Sequence, residues 1–206
     1  MSACEIEQAR WAIISLTNRS FGNLDCFCSP LNGALSIVIP GELIVYPPPD
    51  PNLPTHQEWQ DRDGRRTFSS NFYASLLAHL NVGLVVRADP ASSDGQAFAQ
   101  HRIAHRALPS RAHGEGGLRA EVRVLNQLTQ LLETHQGPAA LECGGKRGHV
   151  LLAAYLVRRR RFHDAATALA WLHMVRPDVL APEGLRSEVE ALVAASASRQ
   201  QYKATW

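Results

Sequence analysis

Cysteine is scarce in this 206-residue chain: Cys4, Cys26, Cys28 and Cys143 are all it has. So few cannot frame a disulfide scaffold, and Cys26-Phe27-Cys28 lacks the second half that a zinc ribbon needs. No metal and no cofactor is expected, and buried or idle thiols suit a reducing, cytoplasmic compartment. Long apolar runs are missing too. The longest, Val150–Val157, falls far short of the ~20 residues of a membrane span. The start, Met1-Ser2-Ala3-Cys4-Glu5, carries no basic flank followed by an apolar stretch, so no secretory leader is expected. Neither sign of charge dominates. Lys and Arg total 21 against 19 Asp and Glu, a formal +2, which argues against wholesale nucleic-acid binding. No repeat of fixed period is visible. What the chain does have is apolar content, 45%, enough to bury a core without staples.

Glu5–Leu16 has the spacing of a short helix, and Asn18–Gly33 reads as loop. Ala34–Val38 and Glu42–Tyr46 flank Pro40-Gly41, which predicts two short strands around a tight reversal. Pro47–Pro54 holds five prolines and, with the charged and amide-rich Thr55–Thr67, is expected to form one long exposed loop, an insertion or a Pro-rich ligand for a partner. Asn71–Leu80 has helical spacing, and Val82–Val86 reads as a buried strand. Pro90–Gly95 reads as a turn, Phe98–Leu108 as including a strand, and Pro109–Gly117 as a polar loop. Glu121–Glu133 is expected as a helix, Gly137–Leu141 as a strand, Val150–Arg160 as a buried central helix, Asp164–Val175 as a helix capped by Asp164, and Gly184–Ala194 as the last helix before a polar tail, Ala195–Trp206. Short apolar strands alternating with helices predict an α/β fold, a central mostly parallel sheet flanked by helices. Residues 34–194 would form the domain, with 1–33 as an N-terminal segment.

In such folds ligands gather at the carboxyl ends of the strands. The segment leaving Leu141 is Glu142-Cys143-Gly144-Gly145-Lys146-Arg147-Gly148-His149. Glycines allow backbone N–H groups to converge, the helix start adds partial positive charge, and Lys146 and Arg147 add full charges. Gly144, Gly145, Lys146, Arg147 and Gly148 are thus a candidate anion site. A cysteine at its base would have its thiolate stabilised, as a nucleophile attacking a phosphate ester requires.

Several ordered segments carry a resemblance. Val150–Val157 followed by Ala165–Ala170 and by Ala170-Trp171-Leu172-His173-Met174-Val175-Arg176-Pro177 resembles cysteine-dependent phosphatases, nearest the dual-specificity enzymes of the Cdc-fourteen type, whose signature loop is followed by a helix and then by a second helix ending A-W-x-x-x-x-R-P. Ile39-Pro40-Gly41-Glu42-Leu43-Ile44 is similar to their strand-turn-strand entry, and Asn81–Arg87 to their helix-to-strand step. The resemblance spans roughly residues 34–194 and implies a phosphatase-like fold. The family signature is H-C-x-x-G-x-x-R-[ST]-G. On it, Cys143 is the nucleophile with Glu142 in place of the histidine, and Arg147 is the phosphate-binding arginine, but Cys143 to Arg147 is C-x3-R, two residues short. Read without a gap from Arg147, the nucleophile position is Leu141; read without a gap from Cys143, the arginine position is His149.

A loop two residues shorter cannot encircle the same anion, and Glu142 beside the thiol repels phosphate. The family's general acid is an Asp on an earlier loop, yet no Asp lies between Asp94 and Asp164; Glu115 or His113 would have to stand in. Its water-positioning glutamines fall where this chain reads Ala181-Pro182-Glu183-Gly184-Leu185. The expectation is a catalytically impaired phosphatase-fold protein acting as a protein-binding or structural module. The alternative is a divergent phosphatase acting on phosphotyrosine, phosphoserine or phosphothreonine through Cys143, with Arg147 as clamp and Glu115 as acid. The expected partner is a protein, such as a phosphoprotein or a cytoskeletal assembly, and neither nucleic acid nor membrane. Arg158, Arg159, Arg160 and Arg161 are a candidate face for that partner, though a helix end also favours cations. His101 and His105, four apart, lack an obvious third metal ligand; His135, His163 and His173 are expected at the surface and Trp171 in the core.

Overall fold

The computed structural model describes residues 28–54, 56–88, 95–109, 117–176 and 184–203. The predicted helix at Glu5–Leu16, with Cys4 and Cys26, lies outside them, as do the acid candidates His113 and Glu115. The chain divides into two compact units, Met1–Ala107 with His135–Gly144, and Leu108–Thr134 with Gly145–Trp206.

The first unit is built on a five-stranded sheet. Strands β1 (Ser36–Ile39) and β2 (Leu43–Tyr46) pair antiparallel, with Gly41 at φ 73 in the reversal after Pro40. β5 (Leu84–Arg87), β6 (Ala104–Ala107) and β7 (Ala139–Glu142) complete it in the order β1-β2-β7-β5-β6, and every pairing after the first is parallel. β2 and β7 are buried at all four positions, which is why they read as unbroken apolar runs rather than alternating ones. Helix α1 (Ser70–His79) starts where Ser69 accepts from the Phe72 N–H at 3.2 Å. It lays Tyr73, Leu76 and Leu77 against Ile44, Val85 and Ala140 of the sheet.

One expectation fails in this unit. The long exposed loop Pro47–Thr67 is not one loop: Trp59–Arg62 (β3) and Arg65–Phe68 (β4) form a separate two-stranded hairpin. Its turn is Asp63-Gly64, with φ 51 and 74, the left-handed pair that a two-residue hairpin needs and that an Asp-Gly dipeptide supplies. Arg66 clamps Asp61 across the strands at 2.8 and 2.9 Å, and its guanidinium lies 3.9 Å over Trp59. Pro49 is buried and Pro47 and Pro48 are half-buried, so the first half of this stretch packs, while Pro51 and Pro54 are exposed. Phe98–Leu108 includes the expected strand, β6, preceded by a short helix α2 (Gly95–Gln100). Phe98 and Ile103 are buried at the helix end.

The second unit is helical: α3 (Leu118–Thr134), α4 (Lys146–Arg158), α5 (Ala165–Val175) and α6 (Arg186–Lys203). α4 touches the other three. Its residues Gly148–Leu156 are buried without a break, as a helix apolar on all sides must be. It begins four residues before the expected Val150, because Gly145 caps a polar first turn that periodicity does not register. Asp164 caps α5 as expected, accepting from the Thr167 N–H at 2.8 Å. The last helix runs past Ala194 to Lys203, through most of the expected tail. Trp171 is half-buried rather than in the core, tilted against Phe162 with ring centroids 6.0 Å apart. Among the described residues no helix is long and apolar enough to cross a membrane.

Candidate functional site

The carboxyl edge of the sheet comes first. In-register pairing sets Tyr46, Glu142 and Arg87 side by side on β2, β7 and β5. In-register neighbours of parallel strands share a face, so three polar side chains meet there. Tyr46 and Glu142 are buried and Arg87 is half-buried. The Tyr46 hydroxyl donates to Glu142 Oε2 at 3.2 Å. Burial, and then the Glu142 charge, hold the Tyr46 phenol well above its ordinary range, while the positive charge of Arg87 pulls the other way. The sequence marked Glu142 but missed its two companions. Their only signal was a polar residue closing each of two apolar strands.

Cys143 follows directly and is fully buried. Its N–H donates to the Tyr46 carbonyl at 3.0 Å, and Ala88 N–H donates to the Glu142 carbonyl at 3.0 Å, so the sheet ladder continues past β7. Gly144 is covered as well. A Cβ built there would lie 2.6 Å from Cδ and 2.9 Å from Cγ of Pro48. Only glycine fits under this proline, and the pyrrolidine ring fills the space that a side chain at Gly144 would take. Pro48 belongs to the Pro-rich stretch, and nothing in the sequence links it to residue 144.

On the helical unit, Gly145 sits at φ −103, ψ 166 and α4 begins at Lys146. Two residues therefore separate Cys143 from the first helical residue. Lys146 forms an ion pair with Glu188 of α6, each about half exposed. Arg147 is far less accessible. Its Nε lies 3.3 and 3.2 Å from the two Glu121 carboxylate oxygens, and an Nη donates to the Pro109 carbonyl at 2.8 Å. The Arg147 and Glu121 side chains are 14% and 12% exposed, so this is a mostly desolvated pair. Gly148 is buried in the first turn. His149, in the arginine position of the gapless reading, is buried, and its Nδ1 lies 2.8 Å from the Gly145 carbonyl of its own helix. Leu118, Val150 and Leu192, with both ion pairs, line a cleft of about 500 Å³.

The remaining candidates scatter. Arg158 donates to Asn126 Oδ1 and Arg159 meets Glu133 at 3.1 Å, both on α3, while Arg159, Arg160 and Arg161 are exposed. His105 lies flat on Phe98, centroids 5.0 Å apart, and His101 is exposed in the turn after α2. His163 and His173 are exposed; His135 is half-buried against Gly83, contrary to expectation. Leu185 is buried at the start of the last helix, and residues 181–183 lie outside the described set.

Comparison with solved structures places this architecture. The chain matches a kinase-associated phosphatase whose catalytic-site cysteine is replaced by serine, with a TM-score of 0.55 and 13% identity over 82% of this chain and 97% of that one. It matches human DUSP28 with a TM-score of 0.51 and 19% identity over 81% of this chain and 97% of that one. Identities this low speak to the fold alone, and that fold is the one of dual-specificity and tyrosine phosphatases. No family model matches the chain, and no curated protein sequence does.

Proposed function

We propose that this phosphatase-fold chain is a catalytically impaired member of the Cdc-fourteen-like group that serves as a protein-binding or structural module. The observation that carries the reading is the fate of Arg147. An arginine that clamps phosphate must offer its guanidinium edge to the anion. Here that edge is turned to Glu121 and the Pro109 carbonyl within its own helical unit. Freeing it would leave a mostly buried carboxylate without this counter-charge, which costs about 2–3 kcal/mol.

The strand side supports the same reading. The Cys143 amide is committed to the sheet, and Pro48 covers the neighbouring glycine. A full signature loop gives successive amides to one anion, whereas this chain turns into α4 after Gly144 and Gly145. The Glu142 carboxylate is engaged with the Tyr46 hydroxyl inside the sheet edge. What remains is a stable α/β scaffold with its surface free to serve a protein partner.

The test is hydrolysis of an aryl phosphate by the purified chain beside Cys143→Ser, with thermal shift in tungstate as a second readout. The expected result is no turnover above the variant and no tungstate-dependent rise in Tm. Turnover that disappears in Cys143→Ser overturns the proposal in favour of a divergent phosphatase.

A further inference from the structure

The helical unit holds an open cleft where α3, α4 and α6 meet. These three helices pack on one another pairwise, and the hollow of about 500 Å³ between them lies wholly within that unit. This is the size of a ligand pocket, for which ~300–1,000 Å³ is usual. Its apolar lining runs from interior to rim: Val150 of α4 and Leu192 of α6 are buried, while Ala191 and Leu118 are exposed. A single exposed leucine is common and points nowhere; an apolar-walled hollow beside it is another matter. Two ion pairs stand in the same lining, and they differ. Arg147 and Glu121 are 14% and 12% exposed, and the Pro109 carbonyl holds the arginine as well. Lys146 and Glu188 are 50% and 46% exposed. An exposed pair is worth ~0–1 kcal/mol, so Lys146 changes partner at little cost. Glu188 keeps a favourable place without it, in the first turn of α6 near the positive end of that helix.

We infer that this cleft takes a segment of a partner protein that inserts a large aliphatic side chain against Leu118, Val150 and Leu192 and sets a neighbouring carboxylate on Lys146. The inference rests on the binding-module reading and names its surface and its chemistry. The apolar walls select the side chain through the area they remove from water. The charges select the carboxylate. Lys146, the cation that exchanges readily, is a compact point charge without the planar fork that grips phosphate. Glu121 and Glu188 stand in the same lining and repel a dianion more than a monoanion. The Arg147–Glu121 pair stays closed throughout. A protein segment is better served here than a free acid. Small ligands are held by burying ~70–90% of their surface, whereas Leu118, Lys146 and Glu188 stand about half open around this hollow. An inserted residue brings the rest of its chain to cover them.

The experiment measures fluorescence anisotropy of a labelled, end-blocked peptide Ser-Glu-Leu-Glu-Ser titrated with the full chain at low ionic strength. Binding that weakens with salt is expected. Alanine in place of the peptide's leucine should weaken it about tenfold, and glutamine in place of its glutamates about fivefold. On the protein, Ala191→Leu fills the hollow and should cost about tenfold with Tm held, and Lys146→Ala about fivefold. Glu188→Gln should tighten binding about twofold, because Lys146 then has no competing carboxylate on α6. Arg159→Ala, at the other end of α4, should leave it unchanged. Affinity indifferent to the peptide's leucine or to Ala191→Leu means adsorption by charge alone and overturns the inference. So does weaker binding by Glu188→Gln, and so does isocaproate that competes at the same concentration as the peptide, which makes a free acid the occupant. A chain without turnover that ignores the peptide overturns this cleft alone; a chain with Cys143-dependent turnover overturns the reading beneath it.

Discussion

The strand end at Glu142 and the helix start at Arg147 keep their charges in opposite ways. At the strand end, a carboxylate sits among a phenol and a guanidinium brought level by register, and the group is buried in the sheet edge. At the helix start, a guanidinium is held by a carboxylate one helix away and by the Pro109 carbonyl. The first arrangement is fixed by backbone pairing, and the second by side chains reaching across helices. In an anion-binding loop both charges would face the ligand. Here each is engaged inside its own unit, Glu142 by Tyr46 and Arg147 by Glu121, so a ligand would have to displace a bond the fold already makes.

The largest effect is expected where that comparison is sharpest. Glu142→Ala removes the acceptor of Tyr46 and the negative charge beside Arg87, and should destabilise the chain by about 3–5 kcal/mol in urea unfolding. A loss under about 1 kcal/mol would mean that the buried row is not the anchor described. A smaller but more specific effect is expected at the helix start. Arg147→Ala and Glu121→Ala singly should each cost about 2–3 kcal/mol, the double variant much less than their sum, because each single change strands the other charge. Additive losses would break the pairing. The smallest effect is alkaline. The Tyr46 phenol titrates well above 10 in the folded chain, against about 10 when unfolded. The unfolded chain therefore gives up its proton first, so stability is whole below pH ~10 and declines above it, up to the raised folded value. Unfolding at stepped pH should show that decline in the native chain and a shallower one in Tyr46→Phe.

How much of this was legible follows from period and range. Helices α1, α3 and α5 came through because apolar spacing and local caps such as Asp164 act within a few residues. The hairpin at Asp63-Gly64 is legible in principle, from a dipeptide that names its own turn, but its charged strands lack an apolar alternation. α4 was placed four residues late because Lys146, Arg147, Gly148 and His149 carry no apolar period; they are helical through the glycine cap and through pairing with Glu121 and Glu188.

The sequence by itself determined the alternation of apolar strands and helices, the shortened spacing from Cys143 to Arg147, and the crowding of arginine after Tyr155, since all three are properties of neighbours along the chain. Tertiary structure alone decided that Pro48 lies on Gly144, that Tyr46 and Arg87 bracket Glu142, and that Arg147 turns to Glu121. Those partners are separated by 26 to 96 positions where their spacing is known, and no local propensity reaches that far. Strand register and helix packing bring them together, and these are fixed when the whole chain buries its apolar surface.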